Sequence, residues 1–222
     1  MVRFFAVGML LFCSASAFFA QGITTASAYF KTVSDYYANL KDYEADFEIK
    51  VDKQEMSGKV SYKRPNLLRM DFSVPEEQVI CFNGDMLTVY LPDAAAVLQQ
   101  SVKGEGNAAT LATASGLSLM SRYYTVSYEV GQEPVPLENG STEKVVNLLL
   151  SRRNTSEAFS LIKLAINAET KLIRRVEAVT TRGETFTFNF TDYKLNQDLT
   201  DQRFIYDPPS SANNYNNFLF SE

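Results

Sequence analysis

The chain of 222 residues contains no histidine, no tryptophan and only two cysteines. Histidine is the usual general base near neutral pH and a common metal ligand, so its absence argues against triad hydrolases, zinc hydrolases and haem proteins. A net charge of -5 argues against nucleic-acid binding, because such proteins usually carry a basic surplus. No apolar run reaches the roughly 20 residues that a membrane-spanning helix needs. The 45% of hydrophobic residues is instead typical of a globular core.

The N-terminus has the pattern of a secretory signal peptide. Arg3 precedes an apolar run at 4–12, and small residues follow it. We predict a signal peptide at 1–20, cleaved after Ala17 or Ala20, and therefore an exported protein of the periplasm. Lipidation at Cys13 is a competing interpretation, which the bulky phenylalanine before that cysteine disfavours.

Candidate catalytic residues are sparse. No Ser-x-x-Lys run or Gly-x-Ser-x-Gly elbow is present, which disfavours an esterase or lipase. The carboxylates Glu76 and Glu77 follow a proline and are expected to be solvated surface charge. Cys81 lies in an apolar segment, as a packed thiol would. No phosphate-binding glycine loop or calcium-loop spacing is present. The sequence thus predicts a non-enzymatic protein without a metal or cofactor.

One long helix is predicted at 26–40, where apolar residues recur with the spacing of a single helix face. The period then changes to two: at 43–51 apolar residues alternate with charged ones, so that a strand there has one apolar face. The same alternation returns in many short segments, including 58–62, 68–72, 124–128, 162–166 and 186–190.

These segments predict a mainly β fold with a helical lid. About eleven strands would form a strongly curved antiparallel sheet, an incomplete barrel covered by helices. A closed outer-membrane barrel is disfavoured by the short strands, the leading helix and the alanine-rich stretch at 108–120. That stretch predicts one or two helical turns broken at Gly116. We expect a loop at 131–140 and a poorly ordered Asn-rich tail at 210–222.

Specific motifs then carry a resemblance to a known family. In chain order these motifs are Tyr62-Lys63-Arg64-Pro65-Asn66-Leu67-Leu68-Arg69-Met70, Pro75-Glu76-Glu77-Gln78, Asn83-Gly84-Asp85, Val89-Tyr90-Leu91-Pro92-Asp93 and Phe204-Ile205-Tyr206-Asp207-Pro208-Pro209. Together they resemble the periplasmic outer-membrane lipoprotein carrier (LolA) family. The resemblance extends over most of the chain after the leader, and we assign the carrier domain to 21–209.

The resemblance implies a function and a set of residues. Family members shield the acyl chains of lipoproteins in an apolar cavity and carry them from an inner-membrane ABC-type complex to an outer-membrane acceptor. Arg64, aimed by Pro65, matches the arginine that latches the lid over the empty cavity. The cavity lining is expected to comprise Tyr29, Phe30, Val33, Tyr37, Phe47, Ile49, Val60, Tyr62, Leu68, Met70, Phe72, Tyr90, Leu111, Leu117 and Met120.

Two features depart from the family pattern. Val89 stands where a tryptophan often precedes the aromatic residue, and Cys81 replaces a residue that is usually small and polar. The alternative function is an envelope-stress sensor or lipid-binding regulatory module of the same fold. In either case we expect a monomer that binds acylated lipoproteins or lipid and no nucleic acid.

Overall fold

The structure is a computed structural model that describes residues 24–101 and 114–218. Within these ranges it contains two α-helices, α1 (Ala26–Asn39) and α2 (Ala114–Tyr123), and 13 strands. Two 3₁₀ helices span Pro92–Ala94 and Asp201–Phe204. The strands are β1 (Asp42–Val51), β2 (Gln54–Lys63), β3 (Leu67–Val74), β4 (Val79–Phe82), β5 (Met86–Leu91), β6 (Ala96–Ser101), β7 (Tyr124–Tyr128), β8 (Val135–Pro136), β9 (Lys144–Arg152), β10 (Phe159–Asn167), β11 (Ile173–Thr180), β12 (Thr185–Leu195) and β13 (Asn213–Asn216).

Helix α1 confirms the first helix predicted from the apolar spacing. Its N-cap is Thr25, whose hydroxyl accepts a hydrogen bond of 3.2 Å from the N–H of Ala28. The helix ends at Asn39, one residue before the predicted end, because Leu40 has an extended backbone. Its buried face, which includes Phe30, packs on the sheet.

A single curved, open sheet contains all 13 strands and confirms the predicted fold class. The strand order is β13-β6-β5-β4-β3-β2-β1-β12-β11-β10-β9-β7, with β8 paired to β9. Every pairing is antiparallel except that of β13 with β6. Sequence neighbours therefore pair as a meander, interrupted where β1 pairs with β12, where β7 pairs with β9 and where β13 pairs with β6.

The Asn-rich tail differs from its prediction. Its residues Asn213–Asn216 form β13, which pairs in parallel with Ala96–Gln99 at one edge of the sheet. The side chains of β13 are all exposed, so the strand is held by backbone hydrogen bonds and needs no apolar alternation. A pattern search based on hydrophobic residues cannot detect such a strand. Residues 219–222 lie outside the described ranges.

The second helix also differs from its prediction. Gly116 does not break it but lies inside α2, which continues to Tyr123. An interior glycine costs only about 1 kcal/mol relative to alanine, which packing can offset. Residues 108–113 of the predicted helical stretch lie outside the described part of the chain, as does the predicted signal peptide at 1–20. The predicted loop at 131–140 is irregular apart from the two-residue strand β8.

Apolar side chains cover parts of both faces of the sheet. The concave face carries the largest core cluster, in which α1 and α2 pack on β7 and β9–β12. The convex face carries a smaller cluster of Val79, Cys81, Tyr90 and Val97, packed against Tyr206 of the C-terminal segment. Two layers thus cover the sheet, one helical and one formed by the chain after β12.

Candidate functional site

An apolar cavity of about 250 Å³ lies between the two helices and the concave face. Side chains from α1, α2 and six strands surround it, and tyrosine hydroxyls are the only polar side-chain groups among the described lining residues. The lining residues are Tyr37, Tyr43, Val60, Leu68, Met70, Leu117, Met120, Leu164, Ile173, Val176, Phe188, Phe190 and Tyr193. Such a lining suits an apolar guest and offers no charged group to a polar one.

The structure brings six of the predicted lining residues together around this cavity, namely Tyr37, Val60, Leu68, Met70, Leu117 and Met120. They come from α1, β2, β3 and α2. Their convergence follows from the strand period of two, since Val60 pairs with Met70 and both point to the concave side.

Most of the other predicted residues lie in the core beside the cavity. Phe30 and Val33 are buried between α1 and the sheet. Phe47, Ile49 and Phe72 form a separate cluster, in which the rings of Phe47 and Phe72 meet edge to face at 5.0 Å. These residues support the cavity wall but do not line it.

The three remaining described residues have other surroundings. The ring of Tyr29 packs against Tyr128, with ring centroids 6.3 Å apart. Tyr62 is buried, and its hydroxyl donates to the carbonyl of Pro65 at 3.1 Å. Tyr90 faces the convex side, where it packs with Tyr206, because it pairs with Val79 and not with the concave-facing Ile80. Leu111 lies outside the described residues.

Seven lining residues were not predicted individually: Tyr43, Leu164, Ile173, Val176, Phe188, Phe190 and Tyr193. Most of them lie in segments where apolar and polar residues alternate. The sequence therefore predicted that they lie on the apolar face of the sheet, but it did not predict that they line the cavity. Ile173 and Val176 lie outside the alternating segments, and so does Tyr193. An irregularity in the pairing of β1 with β12, between Glu44 and Asp46, breaks the alternation next to it.

Two tyrosine hydroxyls close a gap in the sheet beside the cavity. The β11–β12 ladder extends only from Val179 to Arg175, so Ile173 lies beyond it. The Ile173 N–H donates to the Tyr37 hydroxyl at 2.8 Å, and its carbonyl accepts from the Tyr193 hydroxyl at 2.9 Å. The two hydroxyl oxygens are 3.4 Å apart. These side chains thus take the place of the missing backbone partners and join α1 to the sheet.

Burial keeps this tyrosine cluster neutral. Desolvation raises the pKa of Tyr37 to about 12, although the hydrogen bonds from Tyr193 and Ile173 oppose the shift. Desolvation also raises the pKa of Tyr43 and of Tyr193 well above the usual value for tyrosine. All three side chains are therefore uncharged hydroxyls at any physiological pH.

Arg64 lies in the tight turn between β2 and β3, and its side chain is exposed. Its backbone N–H donates to the Lys41 carbonyl at 2.8 Å, which ties the turn to the residue before β1. Among the residues that the structure describes, no hydrogen bond or ion pair of the Arg64 guanidinium is present. The segment at 102–113, which a latch could contact, lies outside the described ranges.

The convex face of β1, β11 and β12 has a polar character. A groove of about 470 Å³ there is larger than the apolar cavity, but its lining mixes both charges, including Glu48, Lys50, Glu138 and Arg175. Volume alone therefore does not identify the site, and the apolar cavity is the better candidate because its lining is chemically uniform.

A charged cluster also fixes the C-terminal segment to the convex face. Asp71 accepts hydrogen bonds from Arg69 at 2.9 Å and from Arg203 at 2.6 Å. Arg69 also donates to the carbonyls of Arg203 and Ile205 at 3.2 and 3.3 Å. The thiol of Cys81 donates to the Phe204 carbonyl at 3.2 Å. The contacts with the C-terminal segment were not predicted, because they join residues that are far apart in the chain.

The described residues contain no group of three side chains that could hold a metal ion. Across 24–101 and 114–218, neither helix combines the length and the apolar character needed to cross a membrane.

Comparison with known proteins gives several sequence relatives. The family model "Outer membrane lipoprotein carrier protein LolA" matches residues 38–207. An outer-membrane lipoprotein carrier protein of Pseudomonas aeruginosa is 25% identical over 157 residues, which are 70% of this chain and 69% of the relative. The protein of that name from Haemophilus ducreyi is 35% identical over 100 residues, which are 42% of this chain and 46% of the relative.

Two solved structures share the fold. A conserved protein of Thermus thermophilus superposes with a TM-score of 0.57 at 14% identity, covering 84% of this chain and 98% of that one. MucB, in the complex of MucA and MucB from Pseudomonas aeruginosa, gives 0.53 at 10% identity, covering 85% of this chain and 62% of that one. The structural likeness agrees with the sequence match, and the chain belongs to the outer-membrane lipoprotein carrier (LolA) family.

Proposed function

We propose that the protein is a non-enzymatic periplasmic carrier that shields the acyl chains of lipoproteins and shuttles them from the inner to the outer membrane. The observation that carries the proposal is the apolar cavity between the helices and the concave face, in a chain of the LolA family. The proposed cycle begins after removal of the leader, with cargo from an inner-membrane ABC-type complex, and ends at an outer-membrane acceptor.

The hydrophobic effect explains why such a carrier needs an enclosed apolar surface. Each CH₂ of an acyl chain contributes about 0.8 kcal/mol when it is buried, so a lipoprotein cannot leave a membrane at a useful rate without an alternative apolar environment. The cavity lining supplies this environment through Leu68, Met70, Phe188 and Phe190.

In the proposed cycle the helices move away from the sheet when cargo enters the cavity. Its volume of about 250 Å³ is below the range of about 300–1,000 Å³ that is usual for ligand pockets. Leu117 and Met120 of α2 form part of the wall, and α2 contacts the sheet mainly at the adjoining strand β7. Displacement of α2 from the concave face would therefore enlarge the cavity without disrupting strand pairing.

In the proposed cycle Arg64 and Pro65 form the latch of the empty carrier. Support comes from the resemblance of the segment around these residues to the family, within the matched range 38–207, and from the exposed position of the Arg64 side chain at the rim of β2 and β3. A guanidinium with free donors can hydrogen-bond backbone carbonyls of a closing segment.

Native mass spectrometry of the protein purified from its own periplasm tests the proposal. We expect an N-terminus at residue 18 or 21 and a bound mass that matches an acylated protein. The purified protein should also release radiolabelled lipoprotein from membranes that contain the transporter. A protein that carries no lipoprotein and releases none from these membranes would contradict the proposal.

The second candidate is a regulatory module of the same fold that binds a partner protein. MucB, which was solved in a complex with MucA, is a protein of similar shape that binds another protein. That likeness concerns the fold, at 10% identity. A regulatory module would form a stable complex with a partner protein in pull-down experiments and would show no turnover of lipoprotein, so the same preparation distinguishes the two functions.

A further inference from the structure

Tyr43 differs from the other tyrosines that line the cavity. The Tyr193 hydroxyl donates a hydrogen bond to the Ile173 carbonyl, so its oxygen accepts one from the Tyr37 hydroxyl. The Tyr37 oxygen in turn accepts from the Ile173 N–H. Among the described residues, the Tyr43 hydroxyl has no hydrogen-bond partner. Tyr43 is thus the one described lining residue with a free hydroxyl donor.

Packing fixes the ring of Tyr43 in place. It meets Tyr37 edge to face with ring centroids 6.1 Å apart, and it lies 5.2 Å from the ring of Tyr62 and 5.7 Å from that of Tyr193. Neighbours on both adjacent strands and on α1 therefore hold the side chain, since Tyr43 pairs with Tyr62 on β2 and Leu195 on β12. A polar group held in this way is pre-organised for a ligand.

A half-buried hydroxyl on a cavity wall can exchange water for an acceptor on the ligand. One such hydrogen bond strengthens binding by about 3- to 10-fold net. The other described lining residues offer apolar surface, apart from the hydroxyls of Tyr37 and Tyr193, which are already paired. The cavity thus combines a large apolar surface with one free donor, which suits an acyl chain that carries a single type of acceptor.

The charge of the lining further limits which type of hydrogen-bond acceptor a ligand can bring into the cavity. No described residue around the cavity is cationic, so a carboxylate would be buried there without a counter-charge. Tyr43 is itself neutral, since burial raises its pKa. A neutral carbonyl is therefore a better partner than the head group of a free fatty acid.

We propose that the Tyr43 hydroxyl donates a hydrogen bond to an ester carbonyl of the bound acyl groups, so that the cavity selects ester-linked lipid over its ether-linked counterpart. This inference rests on the proposed carrier function. It assigns Tyr43 as a specificity-determining residue and the fatty acyl ester as the recognised class of ligand.

Binding of two matched probes tests the inference. One is a short peptide whose cysteine carries S-(2,3-bis(palmitoyloxy)propyl), and the other is the same peptide with hexadecyl ethers, which lacks the two carbonyl oxygens. We expect the unaltered protein to bind the ester probe about 3- to 10-fold more tightly, as one net hydrogen bond provides. In Tyr43→Phe the ratio should fall to about one, with the affinity for the ether probe unchanged.

Tyr36→Phe is the matched control. Tyr36 is also a half-buried tyrosine of the aromatic cluster, but it does not line the cavity, so the ester preference should persist in this variant. If Tyr43→Phe binds the ether probe with the same affinity as the unaltered protein, the variant is folded.

The outcomes separate the inference from the proposed function. Equal binding of the two probes by the unaltered protein, or an ester preference that survives in Tyr43→Phe, overturns the inference and leaves the carrier function intact. Failure of the unaltered protein to bind either probe overturns the carrier function and the inference with it.

Discussion

The Tyr193 hydroxyl of β12 donates a hydrogen bond of 2.9 Å to the carbonyl of Ile173 on β11, at a point where the two strands no longer pair. Tyr193→Phe removes this donor and leaves a buried carbonyl without a partner. We expect the free energy of unfolding to fall by about 1–3 kcal/mol. Urea denaturation monitored by circular dichroism measures the change. Tyr215→Phe, on the exposed strand β13, serves as the control and should unfold at the same urea concentration as the unaltered protein.

Alkaline pH should destabilise the protein through its buried tyrosines. The pKa of Tyr37 is raised to about 12 in the folded state, whereas an unfolded tyrosine titrates near 10. Between these two values the unfolded chain loses the proton first. The stability is therefore complete below about pH 10 and falls between pH 10 and 12, by at most about 1.4 kcal/mol per pH unit for each such group. Urea midpoints measured across this range should fall less steeply for Tyr37→Phe, and an equal slope would contradict the assignment.

Gly58 of β2 should not tolerate a side chain. A Cβ at this position would lie 2.1 Å from the Asp71 carbonyl oxygen and 2.9 Å from the ring of Phe47. Since backbone cannot yield as a flexible side chain does, we expect Gly58→Ala to lower stability by about 1–3 kcal/mol or more. Gly131→Ala is the matched control, because nothing lies within 4 Å of a Cβ there. A thermal shift for Gly58→Ala no larger than that of the control would contradict this packing.

Arg203 should protect Cys81 by holding the C-terminal segment on the convex face. Its guanidinium donates to Asp71 at 2.6 Å and to the Ser61 hydroxyl at 3.2 Å. Burial raises the pKa of the Cys81 thiol and keeps the thiol unreactive. The experiment uses a chain that starts after the predicted leader, so that Cys81 is its one cysteine. A thiol reagent should label Cys81 about 5- to 30-fold faster in Arg203→Ala than in the unaltered protein, because the local stability falls by about 1–2 kcal/mol.

The control for this labelling experiment is Lys31→Ala. It removes an exposed ion pair with Asp35 on α1, at a distance of 2.6 Å. Exposed pairs of this kind contribute little to stability. Its labelling rate with a thiol reagent should match that of the unaltered protein, and equal rates in Arg203→Ala would show that the segment is held by other contacts.

Arg64→Leu tests the proposed latch. Loss of a contact that favours the closed, empty carrier shifts the population toward the open form, so cargo should bind at least as tightly and leave more slowly. The measurement is transfer of lipoprotein to acceptor membranes, followed over time. Arg182→Leu, at an exposed arginine in the turn between β11 and β12, should transfer cargo normally. An unchanged transfer rate in Arg64→Leu would contradict the latch.

The alternation of apolar and charged residues was sufficient to predict a curved, one-sided antiparallel sheet, because each strand contains this signal in its own residues. Val60, Leu68 and Met70 could be placed on the concave side in this way. The same pattern misplaced Tyr90, since the convex face of β4–β6 is also apolar where the C-terminal segment covers it. Alternation shows which residues share a face but does not show which face meets the helices.

Tertiary structure alone determined the features that join distant parts of the chain. The pairing of Asn213–Asn216 with β6 uses backbone groups that every residue has, so its residue types do not reveal it. The contacts of Tyr37 and Tyr193 with Ile173 depend on where the β11–β12 ladder stops. The absence of histidine and tryptophan limited the chemistry in advance, and the free hydroxyl of Tyr43 became apparent only when its neighbours' hydrogen bonds were known. Local patterns fix the faces of strands, whereas hydrogen-bond partners are decided by which strands and helices the fold brings into contact.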